Sequence, residues 1–250
     1  MRNLVLLYLC LFTGSSIFAI DNYPVWFIYP RLYPDVVIGF SYNGNSPDMD
    51  AEVMHCVYNG CEVRGFLETI QINDSRYLKN TKYYYVYPIE KLEKIRGCLN
   101  VLDGFCSNVF MEELITAYAE KKIGIDTTLV NINEIKKPNW AEESTWESTK
   151  YYYGVGVFTS HGNENDAWKT SEEQAIYSIL TAQAVTVYSV SRTDILSVNE
   201  SYQEESLNYL RFNVEFSIGN IQTLERWIDI ENDCFYTLVR IPTENLTFNN

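Results

Sequence analysis

Two parts of the chain share one order of elements, a strand-like run followed by a helical pattern. In the first half, an apolar run at residues 36–40 precedes a helical pattern that starts near Asp50. In the second half, an aromatic and β-branched run at residues 151–158 precedes a longer helical pattern that starts near Asp166. A strand and a one-sided helix must bury their apolar surfaces against each other, so each half predicts a two-layer α+β unit with a long helix on an antiparallel sheet.

The helix of the second half carries an apolar stripe. Its members recur at helical spacing: Ala175, Ile179 and Ala182. Either Asn165 or Asp166 can cap the first turn, whereas residues 185–190 fit either a continued helix or a strand. The preceding strand contains Gly154 and Gly156, which favour a close approach by a neighbouring segment.

The end of the chain predicts a β-hairpin. Residues 223–230 and 235–241 both have strand composition, and a polar turn at residues 231–233 joins them. Alternation along the last strand places four side chains on one face: Phe235, Thr237, Val239 and Ile241. A second helical stretch is expected at residues 204–212.

The two halves also share landmarks at similar offsets. Trp26 and Trp140, each in a Pro-x-Trp segment, are 114 residues apart, and the later Asp-Ala pairs are 116 apart. Gly-Asn turns between them are separated by 118 residues. The ends of the halves echo each other as well, with residues 70–74 and 83–88 resembling residues 228–233 and 235–242. This self-similarity predicts a duplicated unit.

These patterns divide the chain into three segments. We predict a signal peptide at residues 1–19, a first α+β unit at residues 20–136 and a second at residues 137–250. The boundary falls at Lys136-Lys137-Pro138. Just before it, residues 91–122 predict a helix, with apolar residues at helical spacing: Phe110, Leu114 and Tyr118.

The N-terminus has the parts of a secretory signal. Arg2 supplies the charge, an apolar run follows at residues 4–12, and small residues lead to Ala19 as the last residue before cleavage. The run is shorter than the ~20 apolar residues that a membrane span needs, and no later stretch reaches that length. Lipid attachment at Cys10 fits poorly because Leu9 is bulky where a lipoprotein signal has a small residue. We therefore expect export, to the periplasm, the outer membrane or the cell exterior, with no transmembrane segment after cleavage.

Five short motifs occur in order in the second half. They are Pro138-x-Trp140, Tyr153-Gly154-x-Gly156, Asp166-Ala167-Trp168 with Ala175, Trp227-x-Asp229, and Tyr236 with residues 238–241. Through these motifs the second unit resembles the LPP20-like family of bacterial envelope proteins, over about 110 residues. The resemblance implies export, a helix packed on an antiparallel sheet and often a lipid anchor. It also implies a relation to domains of flagellar outer-ring assembly proteins, and it implies no catalytic residues.

The net charge of −14 excludes one class of partner. An acidic surface repels phosphate backbones and anionic lipid headgroups, so we do not expect nucleic-acid binding. The apolar content of 46% is enough for a packed core and argues against disorder. Loss of Arg2 with the signal makes the remaining chain one charge more acidic.

No catalytic, cofactor-binding or metal site is predicted. His55 lies beside Cys56, with Cys61 five residues further on, but this spacing matches no zinc pattern. His161 lies in a turn, where a solvated loop residue is the simpler interpretation. The chain also lacks the Gly-x-Ser-x-Gly motif of serine hydrolases and a phosphate-binding glycine loop.

Five cysteines follow the signal, and export permits disulfides. They are Cys56, Cys61, Cys98, Cys106 and Cys234. Their odd number leaves one thiol over unless a second chain supplies a partner. A Cys98–Cys106 bridge is one option, and the pairing stays open.

Tyrosine triplets at residues 83–85 and 151–153 place rings on both faces of their strands. Half of these rings can face a core and the others can meet a partner, because tyrosine joins a large contact area to a polar tip. We therefore expect a non-enzymatic envelope protein with a structural or assembly role, whose partners are other envelope proteins. The alternative is a periplasmic or surface protein that binds a ligand or glycan in the cleft between the units.

Overall fold

The computed structural model describes residues 22–41, 46–58, 62–72, 75–86, 89–106, 114–160, 163–196 and 209–249. The predicted signal peptide lies outside these residues. The helices are α1 Val25–Ile28, α2 Pro47–Tyr58, α3 Ile89–Ile95 and α4 Glu164–Leu196. The strands are β1 Asn22–Pro24, β2 Val37–Phe40, β3 Glu62–Ile72, β4 Ser75–Val86, β5 Asn100–Cys106, β6 Leu114–Ala119, β7 Leu129–Asn131, β8 Thr145–Glu147, β9 Tyr151–Thr159, β10 Tyr209–Ile218, β11 Gln222–Asp229, β12 Cys234–Pro242 and β13 Leu246–Asn249.

Within the described residues these strands form four antiparallel sheets, which confirms the predicted α+β class. Three sheets have the strand orders β2-β6-β5, β11-β12-β9-β8 and β13-β10-β3-β4, and the fourth is the pair β1-β7. The predicted hairpin is confirmed: β11 and β12 pair along their length around a turn at residues 230–233. The predicted inner face of β12 is confirmed as well, because its four residues are fully buried: Phe235, Thr237, Val239 and Ile241.

One connectivity occurs in both halves. Strand β2 leads to helix α2, and the chain later returns as the hairpin β5–β6, whose second strand pairs with β2. Strand β9 leads to helix α4, and the chain returns as the hairpin β11–β12, whose second strand pairs with β9. The first strand of each hairpin contains a β-bulge. The arrangement of each half is therefore strand, helix and returning hairpin.

The register of the strands also recurs. In the first half Gly39 lies opposite Thr116, which lies opposite Gly104. In the second half Gly156 lies opposite Thr237, which lies opposite Arg226. The sequence analysis matched β12 with residues 83–88 of the first half. By strand pairing and register, however, the counterpart of β12 in the first half is β6. The first-half segments at residues 70–74 and 83–88 belong to or adjoin β3 and β4, in another sheet.

An indole hydrogen bond marks the same point in each half. Trp26 Nε1 donates to Asp103 Oδ2 at 2.8 Å, and Trp140 Nε1 donates to Glu225 Oε2 at 2.5 Å. Asp103 and Glu225 each lie directly after the bulge of their hairpin. The Pro-x-Trp segments of the sequence therefore hold equivalent positions against equivalent strands.

The sheet β13-β10-β3-β4 crosses the predicted boundary at residue 136. Strand β3 of the first half pairs with β10 of the second half over ten residues, with Leu67 opposite Val214. The largest core cluster also draws on both halves, since Trp26, Phe27 and Phe40 pack with Trp168 and Phe235. The division into two units remains a prediction about the chain's organisation, and the folded structure joins the two parts closely.

Three details of the sequence prediction were wrong. Residues 91–122 are not one helix, because α3 ends at Ile95 before Gly97, whose φ is +79°, and the strands β5 and β6 follow. The expected helix at residues 204–212 is also wrong where the structure describes it, since strand β10 begins at Tyr209. The cap of α4 is Asn163, whose Oδ1 accepts from the Asp166 amide at 2.8 Å.

Helix α4 lies unusually close to strand β9. A Cβ placed on Gly156 would meet the carbonyl oxygen of Ser171 at 1.8 Å, and one on Gly154 would meet that of Ala175 at 2.3 Å. The two glycines therefore allow the close approach of a neighbouring segment that the sequence predicted, and that segment is the part of α4 that begins the apolar stripe. Gly39 has the same role in the first half, where a Cβ would meet the carbonyl oxygen of Pro47 at 2.0 Å.

Replacing Gly156 with Ala is expected to lower the free energy of unfolding by about 3 kcal/mol, because the methyl group would push the α4 backbone from the sheet. Gly124→Ala is the control, since nothing lies within 4 Å of a Cβ there, and its effect should stay within about 0.5 kcal/mol. Urea unfolding followed by tryptophan fluorescence measures both. Equal stability of the two variants would contradict the close contact.

Candidate functional site

The residues singled out for metal or thiol chemistry do not assemble into a reactive centre among the described residues. His55 is buried on α2, with Nε2 3.0 Å from Glu120 Oε1. Cys98, Cys106 and Cys234 are free thiols, so the Cys98–Cys106 bridge is not formed. The described ranges contain no group of three histidine, cysteine or carboxylate side chains able to hold a metal. The side chains of Cys56 and Cys61, and residue His161, lie outside what the structure describes.

Among the described side chains, the most buried charges lie where the two halves meet. Arg226 on β11 is 1% exposed, and its Nη2 pairs with Glu172 Oε2 of α4 at 2.7 Å. Its Nη1 donates to the carbonyl oxygen of Phe27 at 3.0 Å. The guanidinium also stacks over the Phe27 ring, with Cζ 4.5 Å from the ring centroid, and lies 5.7 Å from that of Phe40. Arg226 therefore connects α4 and β11 to the first half.

A second ion pair joins the two long helices. Lys169 Nζ of α4 lies 3.0 Å from Asp50 Oδ1 of α2, and both side chains are largely buried. Asp50 also accepts from the Phe40 amide through its other oxygen, at 3.0 Å. The Asp50 carboxylate thus links the start of α2 to strand β2 and to α4.

The neighbouring carboxyl of Glu173 lies in unfavourable surroundings. Burial raises its pKa above the ordinary value, and the charges of Glu172 and Asp50 add to this effect, whereas Lys169 opposes it. The pKa of Tyr118 is also raised, first by burial and then by its 2.5 Å hydrogen bond to Asp48. It lies well above the usual range of a phenol. The Tyr118 phenol thus links β6 to α2 through Asp48.

The outer face of the sheet β11-β12-β9-β8 is aromatic. Four half-buried residues form what we call the aromatic face: Trp146, Tyr151, Tyr153 and Tyr236. Trp146 and Tyr153 stack with their centroids 4.9 Å apart and their planes at 4°. Beside them Val157 is 45% exposed, on the part of β9 that pairs with β12 and lies beyond the end of β8.

Neighbouring residues hold these rings in place. Arg240 lies over the Tyr151 ring at 4.3 Å and donates from Nε to Gln222 Oε1 at 2.8 Å. Burial, followed by nearby Cys234 and Asp229, raises the pKa of Tyr236, so its phenol stays uncharged at neutral pH. The rings of the aromatic face are therefore uncharged, with the cation of Arg240 beside Tyr151 and the carboxylate of Asp229 near Tyr236.

A groove opens beside the junction of the two halves. Its cavity measures about 400 Å³, and we call it the inter-unit groove. Its polar and apolar lining includes Asp35, Val37, His55, Glu120, Lys121 and Gln222. A smaller cavity of about 40 Å³ shares Pro34 and Gln222 with it and reaches Arg240. The larger cavity has the size of a small-ligand site.

Comparisons of the chain with models of protein families, with curated proteins and with solved structures found no match. The resemblance to the LPP20-like family therefore rests on the sequence motifs alone and stays a prediction. Among the described helices, none combines the length and the apolar content that crossing a bilayer requires.

Replacing Glu173 with Gln should stabilise the chain more at neutral pH than at about pH 4. The pKa of the folded carboxyl lies above the unfolded value, so the wild-type folded state keeps a proton that the unfolded chain has lost. Wild-type stability therefore falls as pH rises through this window, and glutamine avoids that loss. Urea unfolding at several pH values measures the difference.

The matched control is Glu134→Gln, at an exposed carboxyl on the 3₁₀ turn Ile132–Glu134. Its free energy of unfolding should follow the wild-type pH profile. If Glu173→Gln changed the free energy of unfolding by the same amount at every pH, burial would not disfavour the charged carboxylate.

Proposed function

We propose that the chain is an exported, non-enzymatic cell-envelope protein with a structural or assembly role, and that the aromatic face is the surface through which it contacts another envelope protein. The observation that carries the proposal is this face itself, in which ordered rings and an exposed Val157 lie together on one sheet. Tyrosine and tryptophan are enriched at the centres of protein interfaces because they bury large areas at a small cost in side-chain entropy.

The use of the buried charges supports the same proposal. Arg226, Glu172, Lys169 and Asp50 bond to one another or to backbone groups, and these bonds hold helices and sheets together. A catalytic centre instead aims such groups into an accessible cleft. The internal bonding of these residues favours a rigid scaffold that presents a surface.

A glycan-binding role is the second candidate, and one observation favours it. The nearly parallel rings of Trp146 and Tyr153 stack on each other. A ring-shaped ligand can extend this stack by packing on its outer side. Soluble glycans that shift Trp146 fluorescence at millimolar concentration would favour this candidate over a protein partner.

Site-specific photo-cross-linking tests the assembly role. A photoreactive amino acid replaces Val157 on the aromatic face or Val101 on β5, which is 62% exposed and lies on the other half of the chain. In native cells we expect one defined adduct from position 157 and none from position 101. The cross-linked chain should lie in the envelope fraction with Ile20 at its N-terminus.

Trp146→Ala tests whether the aromatic ring contributes to the contact. Loss of a central aromatic contact should lower the yield of the position-157 adduct about tenfold or more, while the circular dichroism spectrum stays that of the folded chain. Equal adducts from both valine positions, or a processed chain that gives no adduct at position 157, would refute the proposed contact surface. A chain that keeps residues 1–19 in the cytoplasm would refute export.

A further inference from the structure

None of the four rings of the aromatic face lines the inter-unit groove, and among the described residues the two sites meet only at Gln222, which accepts from Arg240 beside the Tyr151 ring. Its walls come from both halves of the chain: the loop before β2, helix α2 and the end of β6 on one side, and Gln222 at the start of β11 on the other. Because Arg226, four residues further along β11, fixes this strand against Phe27, the two walls are held at a set separation. The groove is thus a feature of the docked fold and does not depend on the proposed contact surface.

Among the described residues that line the groove, carboxylates outnumber lysine and arginine side chains. Asp35 and Glu120 line it together with one lysine, Lys121, in a chain whose net charge is −14. His55 is nearly buried, with a side chain 11% exposed, and its Nε2 lies 3.0 Å from Glu120 Oε1. This contact orients a carboxylate that is otherwise 63% exposed. Lys121 is exposed, and a long flexible lysine side chain can extend its ammonium group to solvent.

Apolar groups form the rest of the lining. Val37 on β2 is buried, Ala119 ends β6, and Ile123 is 38% exposed although it is a large aliphatic residue. A site with two carboxylates, one of them oriented by His55, beside aliphatic walls complements a ligand that carries a positive charge on a short apolar chain. Anionic ligands are disfavoured by the same carboxylates and by the charge of the whole chain.

We propose that the inter-unit groove is a binding site for an organic cation, an ammonium or guanidinium group on a short aliphatic chain. The carboxylate of Glu120, held by His55, and that of Asp35 receive the cation. Val37 and Ile123 contact the aliphatic chain, and the Gln222 amide bounds the far wall. The cation can belong to a free small molecule or to a basic side chain within a peptide.

Proton NMR of the two histidines tests this proposal on the purified chain without its signal. His55 lies in the groove and His161 lies in the second half, so the two ring resonances give a site signal and an internal reference. L-Argininamide should shift the His55 resonance in a saturable manner and leave that of His161 unchanged. L-Citrullinamide, which has the same length and lacks the guanidinium charge, should cause no saturable shift.

Two substitutions distinguish binding of the cation in the groove from its general electrostatic attraction to an acidic protein. Glu120→Gln should weaken argininamide binding about tenfold, because a charge-assisted hydrogen bond is lost. Glu231→Gln removes the same charge from the exposed turn after β11 and should leave the affinity unchanged within about twofold. The urea midpoint of each variant should differ from that of the wild type by no more than a surface substitution usually causes.

The source of the cation is tested by comparing argininamide with a Gly-Gly-Arg-Gly-Gly peptide. Tighter binding of the peptide supports a partner's side chain as the occupant, and tighter binding of argininamide supports a free small molecule. The proposal is overturned if His55 does not respond to either probe, if citrullinamide shifts it equally, or if Glu231→Gln weakens binding as much as Glu120→Gln. None of these results bears on the cross-linking test of the aromatic face.

Discussion

A fully desolvated guanidinium at the junction of the two halves governs how the rest of the structure is arranged. Removing a cation from water costs several kcal/mol unless partners replace the lost hydration. Arg226 obtains these partners from Glu172 of α4, from the Phe27 carbonyl and from the faces of Phe27 and Phe40. All of these groups must be in place together, so this side chain fixes α1, β2, α4 and β11 relative to one another. The main core cluster, with Trp26 and Trp168, packs within that arrangement.

Connectivity and strand register recur in the two halves, so the residue at the position of Arg226 can be compared between them. Its counterpart in the first half is Gly104, which lies opposite Thr116 as Arg226 lies opposite Thr237. The two halves therefore agree in strand order, bulge and indole hydrogen bond, and differ at the point where one must bind the other. We interpret the arginine as the residue that converts two similar α+β arrangements into one joined body, with the inter-unit groove left between them.

Local patterns predicted the second half well because each local signal there matches its tertiary surroundings. Gly154, Gly156 and the apolar stripe of α4 predicted a closely packed helix, and alternation predicted the buried face of β12. The helix expected at residues 91–122 failed because the spacing of Leu114 and Tyr118 is four residues, which suits one face of a helix and one face of a strand equally. Gly97 was the local signal that a break follows α3.

Long-range pairings were beyond what the sequence could predict. Alternation in β11 places Arg226 on the same face as the buried Ile228, which signals a buried cation, but nothing nearby in sequence identifies Glu172 or Phe27 as its partners. The groove was missed for a related reason, since Asp35, His55, Glu120 and Gln222 meet only through packing of both halves. The aromatic face was better signalled, because the tyrosine triplet at residues 151–153 must place rings outside the helix-covered face of β9.

A double-mutant cycle on Arg226 and Glu172 tests the central claim most directly. The free energy of unfolding is measured in urea for Arg226→Met, Glu172→Gln and the double variant. Each single change strands a buried partner and should cost about 3–5 kcal/mol, while the double change should cost less than their sum by about 2 kcal/mol or more. Costs that add to within about 0.5 kcal/mol, or single changes that cost under about 1 kcal/mol, would contradict the account.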